Sequence, residues 1–188
     1  LTMMMDKGLS IRQAEDFISI NERYTDIIKL GFGTSLITPY VSKKIKLYKD
    51  CNIDVFAGGT LFEAFAIRKK INDYKKFLNK NNLEMVEISD GTINLTNEKK
   101  CEIIEDFAKD FKVISEVGNK EQSLTEDTDN WGVWMQNELS AGSWKVIAEA
   151  RESGNVGIFN SKGRVQSQLV KKIIEFFSKE DIIWEAPL

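Results

Sequence analysis

Histidine is absent from the 188 residues. A Ser-His-Asp triad and a histidine-ligated metal are therefore excluded, and any proton transfer must use Lys, Asp, Glu, Tyr, Cys or water. Cysteine is nearly as scarce. Cys51 and Cys101 lie far apart without CxxC spacing, so neither a structural zinc site nor a disulfide framework is expected. No apolar run approaches the ~20 residues that cross a bilayer. Leu1 to Gly8 places no charged leader ahead of an apolar run and does not read as a signal peptide, so a cytoplasmic location is expected. Positive charge is not in excess: 26 Lys and Arg stand against 29 Asp and Glu, for a net charge of −3. That leaves no electrostatic case for nucleic acid or an anionic membrane as partner. Only two prolines, Pro39 and Pro187, punctuate the chain and no low-complexity linker divides it, so residues 1–188 are expected to form one domain.

What is present is an alternation of short apolar runs with amphipathic stretches. Runs of Val, Ile, Met, Leu and Phe at 2–6, 26–30, 53–57, 85–89, 112–117, 145–150 and 181–185 suit strands buried on both faces, as in parallel sheets. Helices are expected between them. Ser10 to Gln13 and Thr60 to Glu63 both have capping-box spacing. Ile67, Ile71, Tyr74 and Leu78 mark one helical face; Ile103, Phe107 and Phe111 mark a second, and Leu169, Ile173 and Phe176 a third. Residues 79–82 and 154–163 read as loops. Lys43, Lys44, Lys46 and Lys49 read as a solvated helix face. Trp131, Trp134 and Trp144 read as outer-layer packing or an oligomer contact. Strand–helix repetition without a hairpin signal means an α/β fold with a parallel sheet. Seven repeats favour a (β/α)8 TIM-type barrel over an open doubly wound sheet. Such barrels have eight units and ~250 residues, so this chain is expected to cover about seven units and to lack the eighth.

The ends of these strands carry the chemistry. Glu87, Glu116, Glu149 and Glu185 close four successive strands, Lys29 closes the second and Asp6 the first, while the third offers Gly58. Positions 29, 58, 87 and 116 are spaced by 29 residues each, which suggests one common level. Barrel enzymes place catalytic groups at this face. Carboxylates converging in a dry cavity repel one another unless paired with cations, and Mg²⁺ with its preference for oxygen ligands would satisfy them. The competing structural reading is a buried ion-pair network with Lys7, Lys29 and Arg151. Gly31 to Thr34, Gly58 to Thr60 and Arg151 to Gly154, with Lys29 and Lys120 nearby, suggest an oxyanion or phosphate pocket.

Seven strings at the strand ends, in order, resemble the phosphosulfolactate synthase family. They run from Met5 to Gly8, Lys29 to Ser35, Gly58 to Glu63, Glu87 to Thr92, Ser115 to Gly118, Glu149 to Gly154 and Trp184 to Pro187. The resemblance covers the whole chain and implies a (β/α)8 barrel, a homo-oligomer, and the addition of sulfite to C3 of phosphoenolpyruvate with Mg²⁺. By their positions at the strand ends, Glu87, Glu116 and Glu149 are the candidate metal ligands, with Asp6 ranked after them. Lys120 is the first candidate for delivering a proton to C2, with Lys29 as the alternative. Lys7, Arg151, Ser153 and Gly154 would bind substrate phosphate or sulfite. Two rival readings remain: another barrel lyase or aldolase using Lys29 or Lys120 as a Schiff base, and a non-catalytic, stress-associated relative.

Overall fold

The computed structural model of the chain describes residues 1–118, 130–150 and 153–186. They fall into two compact units, Leu1–Glu87 and Ile88–Leu188.

In the first unit, β1 (Met3–Asp6), β2 (Ile27–Leu30), β3 (Asp54–Ala57) and β4 (Met85–Ile88, whose last residue opens the second unit) pair in parallel, in chain order. Between them lie α1 (Ile11–Asn21), a short turn of helix α2 (Thr34–Ile37), α3 (Val41–Asp50), α4 (Gly59–Ala66) and α5 (Ile71–Lys80). All four residues of β2 are buried, as a strand covered on both faces requires. Tyr48, Phe56, Phe62, Tyr74 and Leu78 are wholly buried. Tyr74 lies between the rings of Phe62 and Phe65, at 6.0 and 5.3 Å between centroids. Each fully buried side chain of this size contributes ~1.5–3 kcal/mol.

The second unit continues the alternation with α6 (Asn97–Phe107), β5 (Lys112–Val117), α7 (Trp131–Ser140), β6 (Ser143–Ala148), α8 (Ser167–Phe176) and β7 (Ile182–Trp184). β5, β6 and β7 are again parallel neighbours in chain order. Trp131 and Met135 of α7 and Leu169 and Ile173 of α8 pack on Val146, Ala148 and Ile182. A doubly wound sheet reverses its strand order at a switch point. Among the described residues neither unit has such a reversal.

Several local expectations are corrected. Thr60 to Glu63 is not a capping box, because α4 starts at Gly59 and its N-cap Gly58 has no side chain to offer. Ile67, Ile71, Tyr74 and Leu78 do not share one helix: a turn with Lys69 at φ 57° separates α4 from α5 and leaves Ile67 exposed. Ile104 rather than Ile103 is the fully buried isoleucine of α6, and Phe177 rather than Phe176 is buried after α8. Phe111 follows α6 and meets Phe107 at 5.9 Å between ring centroids. Trp131 is a core residue, while Trp144 is partly exposed, with the Lys112 and Lys145 ammonium groups over its ring. Lys44 is buried, not on a solvated face.

Candidate active site

In the first unit the strand ends carry two buried ion pairs. Lys29 of β2 lies with its ammonium 3.1 and 3.0 Å from the two carboxylate oxygens of Glu87 on β4. Both residues are buried. The register pairs Lys29 with Phe56 and Phe56 with Met85, so Glu87 lies two residues beyond the row of Lys29. The even 29-residue spacing therefore does not correspond to one level: across β2, β3 and β4 the register shifts Glu87 two residues past Lys29. Lys29 reaches across β3 because Gly58 leaves the space. A Cβ there would stand 3.3 Å from Cε of Lys29 and 3.2 Å from the Leu30 carbonyl. Tyr74 is buried nearby, and burial, followed by the negative charge of Glu87, pushes its phenol far above the ordinary value.

Asp6 closes β1. Its Oδ1 accepts from the backbone N–H groups of Gly8 and Leu9 at 2.8 and 2.7 Å. Its Oδ2 accepts from the Tyr48 hydroxyl at 2.9 Å and pairs with Lys44 at 2.7 Å. Lys44 also donates to the Leu9 carbonyl at 2.8 Å. Two lone pairs on each oxygen are thus engaged by the turn and by α3. This explains why Lys44 is not on the solvated face expected of it. Lys7 is exposed in the turn after Asp6.

In the second unit, Glu116 on β5, Glu149 just after β6 and Glu185 just after β7 converge. Each offers an oxygen within 4.8 Å of the others. Glu116 and Glu149 are buried and Glu185 is half-buried. The ladder pairs Glu116 with Ile147, and Ile147 with Ile183. Glu149 and Glu185 are therefore each two residues beyond the row of Glu116, on the same face of the strands. Glu185 also accepts from the Ala150 N–H at 3.1 Å. Gly118 makes this geometry possible. At φ +139°, it lies where a Cβ would be 2.5 Å from the Glu149 Cβ and 3.0 Å from the Trp131 ring. Three oxygen donors from three different strands form a hard-ligand set that suits a divalent cation such as Mg²⁺.

Behind Glu116 lies a buried network. Lys100 of α6 pairs with Glu138 of α7 at 2.9 Å and with Asp90 at 2.8 Å. It also donates to the Glu116 carbonyl at 2.5 Å. Burial lowers the lysine pKa, but the charges of Glu138 and Asp90 outweigh it and leave Lys100 above its ordinary value. Burial pushes Glu138 up, against the pull of Lys100.

Of the residues singled out in the sequence, Glu116 and Glu149 are brought together; Glu87 and Asp6 are each paired with a lysine of their own unit. Ser153 is exposed and donates to Asn155 at 2.5 Å, and Gly154 is buried in the loop after β6. Lys120 and Arg151 lie outside the described residues. Glu185, a strand-end glutamate outside the expected ligand set, joins Glu116 and Glu149 as the third carboxylate. Lys100 and Lys44 were missed, although each falls on the apolar stripe of its helix: Lys100 with Ile104 and Phe107, Lys44 with Ile45 and Tyr48. A lysine at a core position signals a buried charge partner.

Comparison with solved structures relates the fold of the chain to TIM-barrel-like α/β folds. It matches 3-hexulose-6-phosphate synthase from Salmonella typhimurium with a TM-score of 0.58 and 15% identity, over 99% of this chain and 78% of that one. A second 3-hexulose-6-phosphate synthase structure matches with a TM-score of 0.55 and 14% identity, over 98% and 90%. At such identities the likeness concerns the fold alone. In sequence, the chain is 39% identical over 191 residues to the phosphosulfolactate synthase of Bacillus subtilis (strain 168), covering 99% of this chain and 75% of the relative. It is 36% identical over 196 residues to that of Methanocaldococcus jannaschii, covering 100% and 77%, and 34% identical over 193 residues to that of Methanothermobacter thermautotrophicus, covering 100% and 75%. The profile of (2R)-phospho-3-sulfolactate synthase (ComA) matches residues 1–188. With that match across its length and three such relatives, the chain belongs to the phosphosulfolactate synthase family, a family of lyase-type enzymes.

Proposed function

We propose that the chain catalyses the Mg²⁺-dependent addition of sulfite to phosphoenolpyruvate, giving (R)-2-phospho-3-sulfolactate. The observation that carries this reading is the convergence of Glu116, Glu149 and Glu185 within 4.8 Å, in a chain of this family. The sulfur lone pair forms a bond to C3, the C2–C3 π pair moves toward C2 and the substrate carboxylate, and a proton delivered to C2 completes the addition. Glu116, Glu149 and Glu185 would hold Mg²⁺, which when bound supplies positive charge to stabilise the carboxylate as negative charge builds on it.

The chain's own groups do the rest. Lys29, held by Glu87 at 3.0 Å, presents a fixed cation for an anionic substrate group. Lys120, two residues after Gly118 in sequence, is assigned the delivery of the proton to C2. Arg151 and the Ser153–Gly154 turn are assigned the phosphate or sulfite, with Lys7 as a further cation at the first strand end. Part of the reading is a homo-oligomer in the cytoplasm. Phe32, Ile37 and Tyr40, exposed apolar side chains on the connection from β2 to α3, support self-association, and the two free thiols, Cys51 and Cys101, suit a reducing compartment. No helix among the described residues is long and apolar enough to cross a membrane.

Phosphorus NMR with sulfite, phosphoenolpyruvate and Mg²⁺ tests the reaction. A new phosphate-ester resonance that needs both substrates and disappears with EDTA is expected; no such product from the folded protein would reject the reading. Lys120→Ala should lower kcat by ~10²–10⁴-fold, the range for losing a general acid, with substrate binding largely kept. Retained full kcat in steady-state assays would remove Lys120 from its role.

A further inference from the structure

The network behind Glu116 uses none of the groups assigned to substrate, proton or metal, yet it ends on the backbone of a proposed ligand. Lys100 has three ammonium protons and three acceptors close by: Asp90 Oδ1 at 2.8 Å, Glu138 Oε1 at 2.9 Å and the carbonyl of Glu116 at 2.5 Å. The acceptors come from the segment after β4, from α7 and from β5. Glu138 is anchored in turn: Asn97 donates to its Oε1 at 3.2 Å, and Asn137 donates to Asn97 at 2.8 Å. Lys100 and Glu138 are each 1% exposed. A buried ion pair is a weak source of stability, since apolar residues of similar volume often serve as well or better. What an apolar pair cannot do is hold a backbone carbonyl at hydrogen-bond distance. Fixing the Glu116 carbonyl fixes the peptide plane and so the direction of the Glu116 Cα–Cβ bond. The three carboxylates come from three separate strands, so their convergence depends on each strand end being held.

We infer that Lys100 is a positioning residue, a clamp that holds the Glu116 backbone so that its carboxylate is preorganised for the divalent cation shared with Glu149 and Glu185. The inference rests on the metal reading proposed above. Glu138 and Asp90 keep the clamp charged and aimed. The clamp touches neither substrate nor metal.

The test uses the full chain, stripped of metal, with Mg²⁺ as the probe in isothermal titration calorimetry. The double substitution Lys100→Met with Glu138→Leu removes the clamp together with the fully buried carboxylate it neutralises, and leaves only Asp90, whose side chain is 26% exposed, without its lysine. Its circular dichroism spectrum and metal-free Tm should stay close to the parent's, while Mg²⁺ affinity falls ten- to hundredfold, as for the loss of an outer-shell support. A folded double variant that binds Mg²⁺ within twofold of the parent overturns the clamp. Should that variant fail to fold, Lys100→Arg replaces it, because a planar guanidinium keeps the charge but cannot reproduce three tetrahedral donors. It should bind Mg²⁺ several-fold more weakly, and unchanged affinity again overturns the inference. Glu116→Gln is the reference for the metal reading itself. If the parent binds no Mg²⁺, or Glu116→Gln binds it equally well, the metal reading fails and the clamp with it. Loss in Glu116→Gln beside full binding in the clamp variants rejects the clamp alone.

Discussion

Glu149 owes its place to the residue beside it. Gly118 lies opposite, at a positive φ that side chains rarely adopt, and a Cβ there would meet the Glu149 Cβ at 2.5 Å. Gly118→Ala must either twist the backbone or push Glu149 and Trp131 aside. It should cost about 2 kcal/mol of stability, in the range of overpacked sites. It should also weaken Mg²⁺ binding by displacing one of its three proposed ligands. Urea denaturation of the metal-free protein reads the first effect and Mg²⁺ calorimetry the second. A variant unchanged in both would mean that the strand end is softer than its contacts indicate. Gly58 plays the corresponding part for Lys29, whose side chain passes over it to reach Glu87. In both cases a missing side chain on one strand makes room for a working one on its neighbour.

At the scale of elements, local signals differ in how much tertiary packing must help them. The capping box of α1 is complete: Ser10 accepts from Gln13 N–H, and the Gln13 side chain accepts from Ser10 N–H. Replacing Ser10 with Ala should cost ~1 kcal/mol, read as a lower urea midpoint with an unchanged slope, and Ser10→Gly should cost less. Equal midpoints for Ser10→Ala and the parent would show that α1 is held by the burial of Ala14 and Ile18 alone. Thr60 to Glu63 has the same spacing without the same result. The chain leaves β3 so tightly that helix begins at Gly59, before Thr60 can cap it. The run from Ile67 to Leu78 keeps its period across a turn that periodicity cannot reveal, because Lys69 takes a left-handed conformation there.

For the molecule as a whole, buried protons predict how it meets alkali. Burial, with the Asp6 charge second, raises the Tyr48 phenol far above its ordinary value, and burial, with Glu87 second, does the same for Tyr74. Lys100 is raised too, by Glu138 and Asp90 acting against burial. In each case the folded state holds its proton more tightly than the unfolded one. Their contribution to stability is therefore complete below about pH 10, the unfolded range of Tyr and Lys, and is lost as pH rises beyond it. Tm should fall steadily above pH 10. In a folded sample, the tyrosinate absorbance of two of the four tyrosines should appear only with unfolding. Titration of all four at an ordinary phenol value, with the fold intact, would contradict the burial of Tyr48 and Tyr74.

Element order and type were legible in the chain because seven apolar runs, too short for helices, alternate with stretches of helical period. That pattern reflects local burial and needs no knowledge of neighbours. The glutamates at the strand ends were legible for the same reason: each follows directly from an apolar run. Which of them meet was not. Strand stagger shifts neighbouring rows by two residues, so Glu116 joins Glu149 and Glu185, while Glu87 reaches back to Lys29. Lys100 and Lys44 carry the same lesson. Each sits on the apolar stripe of its helix, but only the packed structure, by bringing carboxylates from other elements against it, supplies the partners that let its charge be buried.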